Sequence, residues 1–351
     1  MGKKSLCSLF GVAFLSIIVA SLLFNFLAPP PASADKAIKL RFATRWPMGH
    51  PFVKHVFGAA LAEMKKNSNG RLDYEIYASS ALAKPTEVYD AVRTGKAHLG
   101  EFTSGYTPGR FPLTDVLSLP ITYPDTKTGV KTSFGVFDRI LYKDYPDTKV
   151  FTMWRTENFY MLGNKEVHTL EDLKGLKIRT SGGLIVKTAK NLGATPVTMG
   201  ISDVYLSLNT GVIDGAVTGL LAIPPFKLHE VTKYIPGFCF GGTTDGIVMN
   251  KATWERIPSD LKPILTNAMR GAGQRYGISC DGGIPKAMGL LKSRGGKFYK
   301  LKPAETKRWN DALKPVADEW VADMKSKGLP GEKALSIYRE ECKKNGVAFP
   351  F

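Results

Sequence analysis

The chain has 351 residues, 44% of them hydrophobic and 23% charged, with a formal net charge of +17. That length suffices for two domains of ordinary size, and no low-complexity linker interrupts it. The basic residues are scattered among acids, with no basic helix or aromatic-interleaved stripe, which argues against nucleic acid; the charge gives a general positive field that favours anionic ligands or, for most of these lysines, simply keeps the surface solvated.

The N-terminus carries Lys3 and Lys4, an apolar run from Phe10 to Leu27, then Pro29-Pro30-Pro31-Ala32-Ser33-Ala34 before the first acid, Asp35. This is the pattern of a secretory signal peptide over residues 1–34, with Ala32 and Ala34 as the small residues of a cleavage site and Asp35 as the mature start. A retained membrane anchor is the competing reading of the apolar run. Cys7 precedes that run, where no lipidation signal would place it. Losing Lys3 and Lys4 takes the formal charge from +17 to +15. The protein is therefore expected in the periplasm.

Lys39 to Phe42 reads as a strand. Phe52, Val53, Val56, Phe57, Ala60, Leu61 and Met64 recur at helical spacing until Gly70, and Leu72, Tyr74 and Ile76 alternate as a strand. This alternation predicts α/β layers with largely parallel strands. An internal echo follows: Thr86-Glu-Val-Tyr-Asp-Ala-Val-Arg-Thr-Gly95 resembles Ser202-Asp-Val-Tyr-Leu-Ser-Leu-Asn-Thr-Gly211. Thr86 or Ser202 can cap each short helix and a glycine can end it. The strands expected next, Ala97 to Phe102 and Val212 to Val217, run into Thr103 and Thr218. Two related lobes would then deliver strand ends to a shared cleft, where ligands of open α/β sheets bind. From Ser259 a helical pattern continues towards Lys292 and could brace both lobes, and another covers Lys307 to Lys327.

The segment richest in chemistry is Thr169-Leu-Glu-Asp-Leu-Lys-Gly-Leu-Lys-Ile-Arg179-Thr-Ser-Gly-Gly183. Thr169 can cap one helical turn, Gly175 ends it, and Leu176 and Ile178 alternate with Lys177 and Arg179 as a strand. Arg179 thus stands at a strand's carboxyl end. Gly182 and Gly183 permit a reversal into a helix from Leu184 to Leu192, whose N-terminal amides favour an anion. A guanidinium grips a carboxylate through two parallel hydrogen bonds, so Arg179 is a candidate clamp on an organic acid; a surface ion pair is the alternative.

Several of these motifs, in this order, resemble the TRAP transporter solute-binding proteins: the Asp-Leu-Lys-Gly-Leu-Lys-Ile-Arg segment, Gly193-Ala-Thr-Pro-Val-Thr-Met199, and Asp203 to Gly215. The front end adds Leu40-Arg-Phe-Ala, a following His-Pro, Asn69-Gly-Arg-Leu and Tyr77-Ala-Ser-Ser-Ala-Leu82. The resemblance covers essentially the whole chain after the leader. It implies a two-lobed α/β fold like that of periplasmic binding proteins, with a ligand cleft between the lobes and a long bracing helix. Lobe I is expected over 35–152 plus about 244–283, and lobe II over 153–243 plus about 284–351. The implied function is capture of a small organic acid for delivery to TRAP permease subunits driven by an ion gradient, without catalysis or cofactor; a metal accompanying the acid, as in a minority of the family, has no support in this sequence. By position, Arg179 matches the family's carboxylate-pairing arginine and Arg155 a second arginine that some members use. Thr218, Thr103, Arg45 and Ile201 stand where sialic-acid-binding members have asparagine, glutamate, asparagine and phenylalanine, which speaks against sialic acid here.

Trp46 and Trp154, beside Arg45 and Arg155, are candidates for an apolar wall, with burial in the core as the alternative. The remaining cysteines, Cys239, Cys280 and Cys342, allow one disulfide plus a thiol or unpaired burial. The histidines fall singly, never at metal-ligand spacing. An exported hydrolase is the competing class. Asp214 and Glu101 offer paired carboxylates, but no nucleophile-elbow, zinc-protease or phosphate-loop motif supports it. An ABC-type receptor shares the bilobal logic without these motifs. A monomer is expected, with a dimer as the alternative.

Overall fold

The structure, a computed structural model, describes residues 37–351. The expected leader over residues 1–34, Cys7 included, lies outside the described residues.

In chain order the elements are β1 (Ile38–Ala43), α1 (Gly58–Asn67), β2 (Leu72–Tyr77), α2 (Val88–Arg93), β3 (Leu99–Thr103), α3 (Thr126–Arg139), β4 (Thr148–Arg155) and β5 (Phe159–Gly163). Then come α4 (Leu170–Leu173), β6 (Lys177–Thr180), α5 (Leu184–Asn191), β7 (Thr195–Thr198), α6 (Val204–Asn209), β8 (Gly215–Gly219) and β9 (Tyr234–Pro236). β10 (Thr244–Asn250), α7 (Lys251–Arg256), α8 (Leu261–Ser293), β11 (Lys297–Tyr299), α9 (Pro303–Leu313), α10 (Pro315–Ser326) and α11 (Gly331–Lys344) complete the chain.

Two mixed sheets form the two lobes. The first runs β2-β1-β3-β10-β4 and the second β11-β9-β5-β8-β6-β7. Each is parallel apart from one central antiparallel run: β10 opposes β3 and β4, and β5 opposes β8 and β9. Both central strands of the expected echo, β3 and β8, are buried at every position. Helices therefore cover both faces, as parallel sheets require. The helical period read from Phe52 to Met64 appears as a π-helical segment (Phe52–Phe57) continued by α1, and each of those apolar residues is buried. Asn69 and Gly70 then end it at positive φ.

The echo helices begin one residue later than expected, at Val88 and Val204, and neither Thr86 nor Ser202 caps them. The strand expected at Val212 starts instead at Gly215, because Val212 is exposed in the turn. The helical run read from Lys307 to Lys327 is two helices, α9 and α10, since Pro315 opens a new one.

The lobe boundaries also shift. β4 stays in the first sheet through Arg155, where it pairs with Thr244, so the crossing falls at residues 156–158 rather than between 152 and 153. α8 braces both lobes. Leu265, Met269, Ala272 and Tyr276 pack with Phe42 and Trp154 of the first, and Leu291 packs with Leu162 and Ile235 of the second. The C-terminal helices do not all belong to lobe II. α11 lies on α3, whose Arg139 pairs with Glu340 and Glu341, and on the segment before it, where the Tyr123 and Tyr338 hydroxyls stand 2.7 Å apart. Trp320 of α10 donates to Pro112 O at 3.1 Å. Cys239, Cys280 and Cys342 are all free and buried.

Candidate functional site

Between the sheets lies a cavity lined by residues of both lobes. The carboxyl ends of β1, β3 and β6, the N-terminal end of β10 and the 156–158 crossing all reach it. Its floor on the first-lobe side is a buried ion-pair network. Arg45 follows β1, and its guanidinium donates to Glu101 Oε1 at 2.5 Å, Thr103 Oγ1 at 2.9 Å and Asp245 Oδ2 at 2.8 Å. Thr103 Oγ1 in turn donates to Asp245 Oδ1 at 2.8 Å, and Thr44 Oγ1 to Glu101 Oε2 at 3.2 Å. These groups meet because β10 pairs with β3, placing Asp245 directly opposite Thr103. Burial opposes the charge on Arg45, but Asp245 and Glu101 outweigh it and raise its pKa. Burial raises the Glu101 carboxyl despite the pull of Arg45.

The second lobe presents Arg179, the third residue of β6, which is 1% exposed. Its Nε and Nη2 donate to Met199 O at 3.0 and 2.8 Å, Nη1 to Val217 O at 3.1 Å, and Nη2 to Tyr106 Oη at 3.2 Å. None of these acceptors is an acid. Burial accordingly lowers its pKa, only partly offset by Tyr106. The loop after β6 follows the expected reversal, with Gly182 at φ 89° and Gly183 at φ 62°. A Cβ on Gly182 would fall 1.9 Å from Gly105 O, so glycine is required where the 181–183 loop of one lobe touches the 104–106 turn of the other. Ser181 sits on the cavity wall with a buried hydroxyl that has no partner.

The crossing segment adds Glu157, buried on the wall and accepting from Tyr276 Oη at 2.9 Å. Burial raises its carboxyl as well. Apolar surface comes from Trp46, Phe52, Phe159, Ile201, Ala222 and the Tyr276 ring. Trp46 is held by His50 stacked at 4.3 Å, Phe52 edge-on at 5.0 Å and the Arg45 guanidinium 4.8 Å above its ring.

Of the residues singled out in the sequence, the fold brings Arg179, Arg45, Thr103, Thr218, Trp46 and Ile201 to one cavity. It does not bring Arg155 there. Side chains alternate along β4, so Trp154 turns towards α8, 4.9 Å from the Tyr276 ring, and Arg155 turns to the opposite face. There the Arg155 guanidinium donates to Ile121 O at 2.9 Å and Thr156 O at 3.2 Å, lies 4.7 Å over the Tyr123 ring, and approaches Cys239 Sγ at 3.9 Å. Trp154 is core, fully buried and away from the cavity wall. Asp214, considered as a partner for Glu101, instead binds Lys177 N and pairs with Lys165 at the far end of the second sheet. Tyr106, Glu157, Asp245 and Tyr276 were not singled out. Tyr106, Glu157 and Asp245 lie at or just beyond strand ends, whereas Tyr276 stands midway along α8 and reaches the site only through tertiary packing.

Residues 42–323 match the profile of the bacterial extracellular solute-binding proteins, family 7, DctP. The chain is 27% identical over 287 residues to the C4-dicarboxylate-binding periplasmic protein DctP of Rhodobacter capsulatus, covering 80% of this chain and 86% of that one. Its fold matches a TRAP solute-binding protein of Rhodoferax ferrireducens T118 solved with copurified benzoate, with a TM-score of 0.83 at 25% identity over 88% of this chain and 99% of that one. A TRAP solute-binding protein of a marine metagenome, specific for aromatic acid ligands and solved with metahydroxyphenylacetate, matches with the same TM-score of 0.83 at 27% identity, covering 88% and 99%.

Proposed function

This chain belongs to the family 7 bacterial extracellular solute-binding proteins, the receptors of TRAP transporters, and from that premise we propose that Arg179 is the clamp that holds its organic-acid ligand. The observation that carries this is a fully buried guanidinium on a cavity wall with no acidic partner. Such a charge is costly until an anion joins it. Ser181, whose hydroxyl is unpartnered, and Thr218 of β8 flank it as donors to the same carboxylate. Trp46, Phe52 and Phe159 enclose the body of the ligand. That lining suits a compact acid with a ring or short alkyl chain, in keeping with the benzoate and aromatic acids of the two structural relatives. Arg45 and Thr103 act from the opposite wall, and Arg155 supports the crossing segment from outside the cavity.

In this reading the protein works in the periplasm as a monomer, after cleavage before Asp35. It closes on its acid and hands it unaltered to the membrane permease. No helix among the described residues is long and apolar enough to cross a membrane.

Titration calorimetry across aromatic, 2-oxo, sugar and short aliphatic acids tests this. One class is expected to bind one-to-one, be recovered unchanged after incubation and raise the melting temperature. Arg179→Ala is expected to weaken binding by roughly 2–5 kcal/mol while the circular dichroism spectrum is kept. An unaltered dissociation constant would remove the clamp.

A further inference from the structure

The cavity wall holds its charges unevenly. Its cations are Arg45 and Arg179 and its carboxyl groups are Asp245 and Glu157, with Glu101 directly behind Arg45. Arg45 is already matched on both sides, by Glu101 at 2.5 Å and Asp245 at 2.8 Å, and both of those side chains are 1% exposed. Arg179 alone faces the cavity without an acid. Once a ligand carboxylate has joined Arg179, every other charge on this wall is either paired or negative.

We propose that the cavity selects monocarboxylates whose other polar groups are hydrogen-bond donors, and excludes ligands with a second carboxylate. This rests on the reading of Arg179 as the clamp. A second carboxylate would be desolvated beside Asp245 or Glu157 with no cation to receive it, and like charges brought together in that way weaken binding by about a hundredfold or more. A hydroxyl in the same place meets acceptors instead. Asp245 uses one bond on each oxygen, from Thr103 and from Arg45, and Glu157 accepts from Tyr276 through Oε2. A carboxylate oxygen has room for a further donor. Burial pushes the carboxyls of Glu101 and Glu157 up. Protonating them changes the number of acids on the wall and leaves the number of free cations as it is, so the site still lacks a second cation.

The specificity therefore comes from negative features on the wall opposite the clamp, a rejection built from repulsive elements as well as an attraction. It sets this chain apart from a receptor of dicarboxylates.

The test uses matched trios on the purified protein by titration calorimetry: benzoate, 3-hydroxybenzoate and isophthalate, and butanoate, 4-hydroxybutanoate and succinate. In whichever trio binds, the diacid is expected about a hundredfold or more weaker than the monoacid, and the hydroxy acid at least as tight as the monoacid. Glu157→Gln, which keeps the bond from Tyr276, is expected to narrow the gap between diacid and monoacid by about tenfold or more. Asp245→Asn should narrow it too, with circular dichroism as the check that the network around Arg45 still folds. A diacid that binds as tightly as its monoacid overturns the proposal and leaves the clamp standing, provided Arg179→Ala abolishes that binding. An unchanged gap in folded Glu157→Gln and Asp245→Asn also overturns it. Binding by none of the acids, or binding that Arg179→Ala leaves intact, overturns the clamp reading beneath it.

Discussion

On the first sheet, Arg45 is enclosed by Glu101, Asp245 and Thr103, so its charge is neutralised by the protein itself. On the second, Arg179 has only the carbonyls of Met199 and Val217 and the hydroxyl of Tyr106. Both guanidiniums are buried in one cavity, and they solve the cost of burial in opposite ways. The first is a structural ion pair that gives the wall its shape and polarity before any ligand arrives. The second is oriented by neutral groups, and its charge has no acid beside it. Orientation without neutralisation is what a binding arginine needs, because the hydrogen bonds to main-chain carbonyls fix the fork while the field of the guanidinium stays uncancelled.

The contrast is broken most directly by removing each charge. Arg45→Met leaves Glu101 and Asp245 buried against one another, and is expected to destabilise the unliganded fold by about 3–5 kcal/mol in urea titration. Arg179→Met strands no acid, so its effect on the unliganded fold should be the smaller of the two, with its main loss in ligand affinity. Equal losses of stability would mean that the two arginines play the same structural part.

A smaller effect comes from the carboxyl that abuts the loop after Arg179. An oxygen of Asp115 lies 3.0 Å from where a Cβ on Gly183 would stand. Burial pushes the Asp115 carboxyl up to about 7, with Asp144 and Asp323 adding to the shift and Lys327 opposing it. An unfolded aspartate titrates near 4. Between these values the folded protein holds a proton that the unfolded chain has released. The stabilisation is therefore fully present below about pH 4 and is lost as the pH rises through about 7. Asp144, held up at about 6 by burial, contributes in the same direction. Melting temperature is expected to fall between pH 5 and pH 8, and less steeply in Asp115→Asn; parallel slopes in the two proteins would show that Asp115 does not titrate in this range.

The smallest effect tests whether the clamp depends on its local cap. Thr169 and Asp172 form a reciprocal capping box at the start of α4, in the segment that leads into β6. Thr169→Ala should cost about 1 kcal/mol of stability. Ligand affinity should not change, because Arg179 is aimed by the neighbouring strand and the 199 carbonyl. A matching loss of affinity would place part of the aiming in the cap.

Local rules made much of this legible in the chain itself. The helical period from Phe52 to Met64, the cap at Thr169, the glycines at 182 and 183, and the alternation that puts Arg179 at the end of β6 each depend on neighbours within a few residues. Physical chemistry acts on those neighbours directly. The echo of Thr86 to Gly95 in Ser202 to Gly211 likewise led to Thr103 and Thr218 on a common wall, since the same short helix precedes a central strand in each lobe. Asp245 is different. It reaches Arg45 only because β10 crosses back from the second lobe to pair between β3 and β4, a contact separated by 200 positions in the chain. Arg155 is the converse: its motif promised the cavity, and the pleat of β4 turned it to the other face. The sequence by itself determined the α/β class and the elements that carry Arg179, because these follow from short-range periodicity and turn chemistry. Which arginine would be neutralised and which left without an acid was decided by tertiary structure alone, because it depends on carboxylates that only long-range strand pairing brings within hydrogen-bond distance.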